Sequence, residues 1–231
     1  METKRVLNVS RPRSRSSASG TALRPRVVEV ARELFFSRGY VRVTADEIAG
    51  RLGISKATLY ACFSSKEEIL RVVMADFLER TLAPIEALLG DPATGLVDKL
   101  VALFSFVGGR ISLIGPLLMR DIQRRAPQVW RDIDDFRREK IFRNLRVILE
   151  SGRREGLFRT DLGVELLLEI FTDLMTRFVN PEAILRSGRT PAELFESIIK
   201  VFFQGLLTER GRRDFQALTP ALFEPRKEGA S

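Results

Sequence analysis

Apolar positions along this chain return at steps of three and four, the period of amphipathic helices. Val27, Val28, Ala31, Leu34 and Phe35 mark a helix over 25–38, stopped by Gly39. A short apolar set, Ile48, Ala49 and Leu52, marks a second from Ala45 to about Arg51, and Leu59 and Phe63 anchor a third that carries Lys56–Ala61. From Lys66 the pattern Ile69, Leu70, Val73, Met74, Phe77, Leu78 predicts a helix to about Leu82, where Pro84 ends it or starts a successor. Leu96–Val107 reads as a helix interrupted by Gly108-Gly109, and Ile111–Arg125 as one broken at Gly115-Pro116. A long helix runs from about Pro127 to Arg154 and stops at Gly156. Asp161 is the expected cap of a helix reaching about Val179, and Thr190-Pro191-x-Glu193 opens the last one, through Leu207. Residues 209–231 read as a frayed charged tail.

The stretch Thr44–Lys66 holds the densest local signals. Thr44 with Glu47, and Ser65 with Glu68, have capping-box spacing, while Val43/Ile48 and Ile54/Leu59 have the spacing of hydrophobic staples. Gly53 falls where the chain must turn sharply, and Ser55 is the next N-cap. Packing Ile48, Ala49, Leu52, Ile54 and Leu59 inward leaves Ser55, Lys56, Thr58 and Tyr60 facing out. A short helix with such a polar edge, set across a partner helix, suits a DNA major groove. A plain helical hairpin inside an all-α core is the bland reading of the same spacing.

Composition narrows the function classes. The chain has 231 residues, a net charge of +8, one cysteine and no histidine. The absence of histidine removes His-dependent general-base catalysis, Ser-His-Asp triads and most zinc sites, and no cofactor is implied. No long apolar run suggests a membrane span, and the single Cys62 fits a reducing, cytoplasmic setting. Cys62 itself reads as a small packing residue, with a thiol sensor as the rival. Residues 1–26 hold seven Lys and Arg against Glu2, so the remainder carries only +2. The segment 1–23, rich in Pro, Ser, Gly and Arg, is expected to be a disordered basic arm, which either follows phosphate or a minor groove or is simply a solvated tail.

The stretch from about residue 24 to 75, with Ala31, Leu34-Phe35, Gly39-Tyr40, Thr44, Ile48-Ala49, Gly53-Ile54-Ser55, Leu59-Tyr60, Phe63 and Lys66-Glu67, resembles the N-terminal domain of the TetR family of transcriptional regulators. The resemblance implies an all-α homodimer. A three-helix helix-turn-helix head (24–83, motif 44–63) would be joined to a larger effector-binding and dimerisation body (84–210) and a flexible tail (211–231). It implies Thr44 and Ala45 near phosphate, Ser55, Lys56, Ala57, Thr58 and Tyr60 along the groove, and Lys66 on phosphate. Where the family often carries His or an aromatic before the residue matching Phe63, this chain has Cys62, so that contact does not carry over. The implied partners are a near-palindromic double-stranded operator, a second copy of the chain and a small effector. The implied outcome is repression relieved by that effector. The helix from Lys66 begins in the head and ends in the body, and by that continuity it is the expected lever between the two.

For the body the residues say less. Phe104, Met119, Trp130, Phe171 and Met175 are candidate lining for a hydrophobic effector, and each also fits ordinary core. The two helices after Asp161 are apolar on more than one face. A two-fold partner is expected to cover the surplus at Leu167, Phe171, Leu174, Phe178, Phe195, Ile199, Phe202 and Leu206. A body that docks a protein partner, with no small effector, is the alternative.

Overall fold

The computed structural model describes residues 18–216, and among them it is all-α, with eleven helices and no strand. They are α1 (Ala18–Arg38), α2 (Ala45–Leu52), α3 (Lys56–Cys62), α4 (Lys66–Gly90), α5 (Leu96–Ser112), α6 (Pro116–Arg125), α7 (Pro127–Arg154), α8 (Val164–Phe178), α9 (Pro181–Ser187), α10 (Pro191–Leu206) and α11 (Glu209–Gln216). No helix among the described residues is long and apolar enough to cross a membrane.

The chain divides into two compact units. Among the described residues, one takes in 18–80 together with Ile114–Arg137, and the other takes in Thr81–Leu113 and 138–216. The first unit has its own core. Val27, Ala31, Leu34 and Phe35 of α1 meet Ile48 and Ala49 of α2, Leu59 of α3, Phe63, and Ile69, Leu70, Val73 and Phe77 of α4. This is the trihelical core the periodicity predicts, with Leu52 only partly buried at its margin. The same core also includes Leu118 and Ile122 of α6 and Ala126, Val129 and Ile133 at the start of α7. Those residues lie far down the chain, and the 24–83 boundary leaves them out.

The second unit is built on a larger core, in which α10 packs against α5 and α8, and α8 against α9. Phe104, Phe171, Phe202 and Phe203 form its aromatic centre, with ring centroids 4.9 Å apart for Phe171–Phe202 and 5.0 Å for Phe104–Phe203. The Thr190 signal reads true: Thr190 Oγ1 accepts the Glu193 N–H, and the Glu193 carboxylate accepts the Thr190 N–H.

Several expected boundaries move. α1 begins at Ala18, so 18–23 belong to a helix rather than to the arm, and the rest of the arm lies outside the described residues. α4 passes through Pro84 to Gly90. Pro84 and Arg80 are exposed, so water can serve the carbonyl that the proline cannot reach, while Ile85 is buried in the second core. α5 continues through Gly108-Gly109 to Ser112. Interior glycines cost about 1 kcal/mol each relative to Ala. The helix is held beyond them by Arg110, whose Nε donates to Thr81 Oγ1 at 3.1 Å.

Asp161 does not cap α8. Its carboxylate accepts from Arg159, and Gly163 takes the N-cap position with no side-chain bond. α9 lies outside the helices that the periodicity marks, although Asn180-Pro181 is a cap followed by a proline at N1, and Asn180 Oδ1 does accept the Ala183 N–H. α11 replaces the first part of the frayed tail. Thr208 N–H donates to Leu157 O, Arg159 N–H donates to Leu206 O, and Phe215 packs on the core. The rest of that tail lies outside the described residues.

Candidate nucleic-acid interface

α2, the turn at Gly53 and α3 form the helix-turn-helix. Thr44 has extended backbone geometry, and its hydroxyl accepts the Glu47 N–H at 3.1 Å, which satisfies one orphan donor of α2. The reciprocal half of the box is absent, because the Glu47 carboxylate pairs with Arg38 instead. Gly53 sits at φ +66 and its N–H closes α2 onto the Gly50 carbonyl, a left-handed position that disfavours side chains. Ser55 then caps α3, its Oγ accepting the Thr58 N–H at 3.0 Å and lying 2.8 Å from Thr58 Oγ1. Ser65 likewise caps α4 through the Glu68 N–H, while the Glu68 carboxylate turns to Ser64.

One side chain of α3, Leu59, is fully buried and pins the helix to the core. Ser55, Lys56, Ala57 and Thr58 are exposed, and Tyr60 is 40% exposed. The expected polar edge is therefore solvent-facing and continuous. Lys56 Nζ donates to Asp46 Oδ2 at 2.8 Å, and this hydrogen bond raises the lysine pKa. Both groups are exposed, so the pair is weak and available for exchange with phosphate.

Two expected phosphate contacts stand differently. The Ala45 side chain is buried, so only its backbone can face a ligand. Lys66 turns inward: Nζ donates to Tyr40 O at 3.0 Å and Val43 O at 2.9 Å, and it lies 4.2 Å from the centre of the Tyr40 ring. Burial lowers its pKa, with the Asp121 charge acting the other way. In this conformation Lys66 holds the turn before α2 rather than offering its charge outward. Arg42 in the same turn and Arg26 on α1 are exposed with no side-chain partner among the described residues. Arg42 is not among the residues the sequence pattern singles out, although an arginine two positions before a helix cap is a visible signal.

Cys62 is half-buried and packs on the first core, as the packing reading requires. Its carbonyl accepts from Arg24, whose guanidinium also lies 4.1 Å from the centre of the Phe63 ring.

The other candidate sets are divided. Met119 and Trp130 belong to the first unit, and Trp130 packs against its core. Phe104, Phe171 and Met175 are buried together in the second. The five do not form one group within a unit. Of the expected dimer residues, Leu167, Phe171, Phe195, Ile199, Phe202 and Leu206 are buried in the chain's own core. Leu174 is partly buried and Phe178 is 40% exposed. α10 already packs against both α5 and α8, an arrangement that helical periodicity alone does not reveal. Among the apolar side chains left outside on α8 and α10 are Leu166 at 49%, Ile170 at 42% and Val201 at 73% exposed.

The chain is similar to known proteins in sequence and fold. Residues 27–73 match the family model for bacterial regulatory proteins of the tetR family. The chain is 31% identical over 157 residues to the HTH-type transcriptional repressor KstR2 of Mycolicibacterium smegmatis, a match covering 65% of this chain and 74% of the relative. Its counterpart in Mycobacterium tuberculosis is 32% identical over 155 residues, covering 65% and 76%. The solved structure of the ketosteroid transcriptional regulator KstR2 of Mycobacterium tuberculosis superposes with a TM-score of 0.51 at 26% identity, covering 81% of this chain and 96% of that one. A TetR-family regulator from Agrobacterium tumefaciens has the same fold, with a TM-score of 0.60 at 18% identity, covering 82% of this chain and 100% of that one.

Proposed function

Since the chain belongs to the TetR family of bacterial regulatory proteins, we propose that it acts as a homodimeric, sequence-specific repressor released from its operator by a small hydrophobic effector. The observation that carries DNA reading is the exposed edge Ser55–Tyr60 on a helix locked to the core by Leu59. Thr58 and Tyr60 read base edges, Lys56 exchanges Asp46 for phosphate, and the backbone N–H groups at the start of α2 and Arg42 supply further phosphate contacts. Two such helices related by a dyad sit about 34–36 Å apart on one face of a duplex, so the operator is near-palindromic.

The dimer seam of this proposal differs from the sequence-based set. Leu166, Ile170, Leu174 and Phe178 follow one another at four-residue steps, so they form a single stripe along α8. On that stripe Leu166, Ile170 and Phe178 are exposed, as is Val201 of α10, so it is an apolar surface that the described residues leave uncovered. The effector reading draws on the largely apolar core of the second unit around Phe104, Phe171 and Met175, and on relatives of which one is a ketosteroid regulator.

The test is selection of duplexes from a random-sequence pool by the full chain, followed by anisotropy titration. Tyr60→Ala is expected to weaken the selected duplex by about tenfold or more, and Lys56→Ala to flatten the slope of log K against log salt by about 0.9. Thr58→Ala should reduce discrimination against a scrambled duplex more than Lys56→Ala does. Selection that enriches no sequence would defeat the reading. A panel of lipophilic compounds added to the complex tests release.

A further inference from the structure

Asp121 is one of only two buried polar residues among those described, at 8% exposure. It lies on α6, eighty residues beyond the helix-turn-helix approach it touches. Its Oδ2 accepts the Val41 N–H at 2.9 Å. The contact is close in a second sense. Gly39, at φ +83, carries no Cβ, and one built there would sit 2.8 Å from the same Asp121 oxygen and 3.1 Å from Leu117 Cγ. Backbone and α6 can meet at this distance only with glycine at that position.

The turn is also gripped from its other side. Lys66 at the start of α4 donates to the carbonyls of Tyr40 and Val43, and the Asp121 charge favours the protonated form of that lysine. An acceptor on α6 and a donor on α4 thus hold residues 40–43 between them. Thr44, the N-cap of α2, follows immediately, and α3 comes after α2 with only the Gly53 turn between. A shift of the 40–43 turn carries the reading edge with it. A carboxylate is costly to bury unless it is hydrogen-bonded, so a residue with no contact at the exposed edge still keeps an ionisable side chain inside the unit.

We propose that Asp121 is a positioning residue for DNA recognition: by accepting the Val41 N–H it fixes the turn from which α2 and α3 are presented to the duplex. This rests on the DNA-reading assignment above and adds a residue that does not face the duplex. Simple electrostatics makes the opposite forecast, because deleting a negative charge from a DNA-binding unit strengthens attraction to phosphate. The sign of the effect therefore separates positioning from charge.

The experiment uses the full chain, the duplex enriched by the wild-type protein and a scrambled duplex of equal length. Binding is measured at a temperature well below the melting midpoint of every variant. Asp121→Ala is expected to weaken the enriched duplex by about tenfold, the size expected for loss of a hydrogen bond to a charged group. Affinity for the scrambled duplex is expected to stay the same or rise. Asp121→Asn keeps an acceptor oxygen and should recover most of the specific affinity. Amide exchange at Val41 should accelerate in the alanine variant and remain slow in the asparagine variant. Asp121→Ala binding the enriched duplex as tightly as wild type, with Val41 deprotected, overturns the proposal while leaving the DNA-reading assignment intact. A uniform loss on both duplexes also overturns it. Failure of the wild-type chain to enrich any duplex removes the assignment itself, and the proposal with it.

Discussion

Phe202→Glu is expected to unfold the second unit rather than to separate two subunits. Phe202 is buried, and its ring lies 4.9 Å from Phe171 and 5.3 Å from Phe203. Truncating such a side chain to Ala costs about 3–5 kcal/mol. A carboxylate in the same place adds the penalty of an unpaired buried charge, so the change removes a large share of a typical domain's 5–15 kcal/mol. Thermal melting followed by circular dichroism should show either a much lower midpoint or no cooperative transition. Ile170→Glu is the informative contrast. Ile170 is exposed on α8, between Leu166 and Leu174 on the same stripe. Glu at that position should leave the melting of the isolated fold nearly unchanged and give monomers by light scattering. A stable Phe202→Glu chain, or an Ile170→Glu chain that remains dimeric at low micromolar concentration, would place the seam elsewhere.

The contrast between these two residues shows where sequence stops being informative. Periodicity identifies that α8 and α10 are apolar on more than one side, and it cannot say which side meets its own chain. Phe202 and Val201 are adjacent, and one is buried while the other is 73% exposed. That outcome is decided by the packing of α10 against α5 and α8, which are distant in sequence. Local chemistry is legible because it is short-range. Thr44, Gly53, Ser55 and Thr190 act through partners no more than four residues away, and each does what its residue type and spacing dictate. Asp161 fails as a cap for an equally local reason, since Arg159 competes for its carboxylate.

At the interface the same division holds. The exposure of Ser55, Lys56, Thr58 and Tyr60 follows from their spacing around Leu59. The inward turn of Lys66 does not, because its acceptors are backbone carbonyls at residues 40 and 43, which carry no side-chain signal. Pro84 and Gly108-Gly109 are breakers by propensity, and tertiary packing overrides them at a cost of a few kcal/mol or less.

Ile122→Ala should weaken the DNA-reading unit although Ile122 lies well outside the matched stretch 27–73. Its side chain is almost fully buried in the core it shares with α1, α2, α3 and α4, beside Leu118 on the same helix. Deleting the larger part of a buried isoleucine leaves a cavity and costs about 2–5 kcal/mol. The residue touches no group on the exposed edge, so its effect on DNA must pass through stability. The specific and scrambled duplexes should then lose affinity together as temperature approaches the lowered midpoint, and the wild-type value should return on cooling. That pattern is the opposite of the one expected for Asp121→Ala, which alters the specific complex while the unit remains folded. If Ile122→Ala left the melting midpoint within about 1 °C of wild type, α6 would be an appendage of this unit rather than part of its core. The shift expected from such a loss is several degrees even at the larger end of domain sizes.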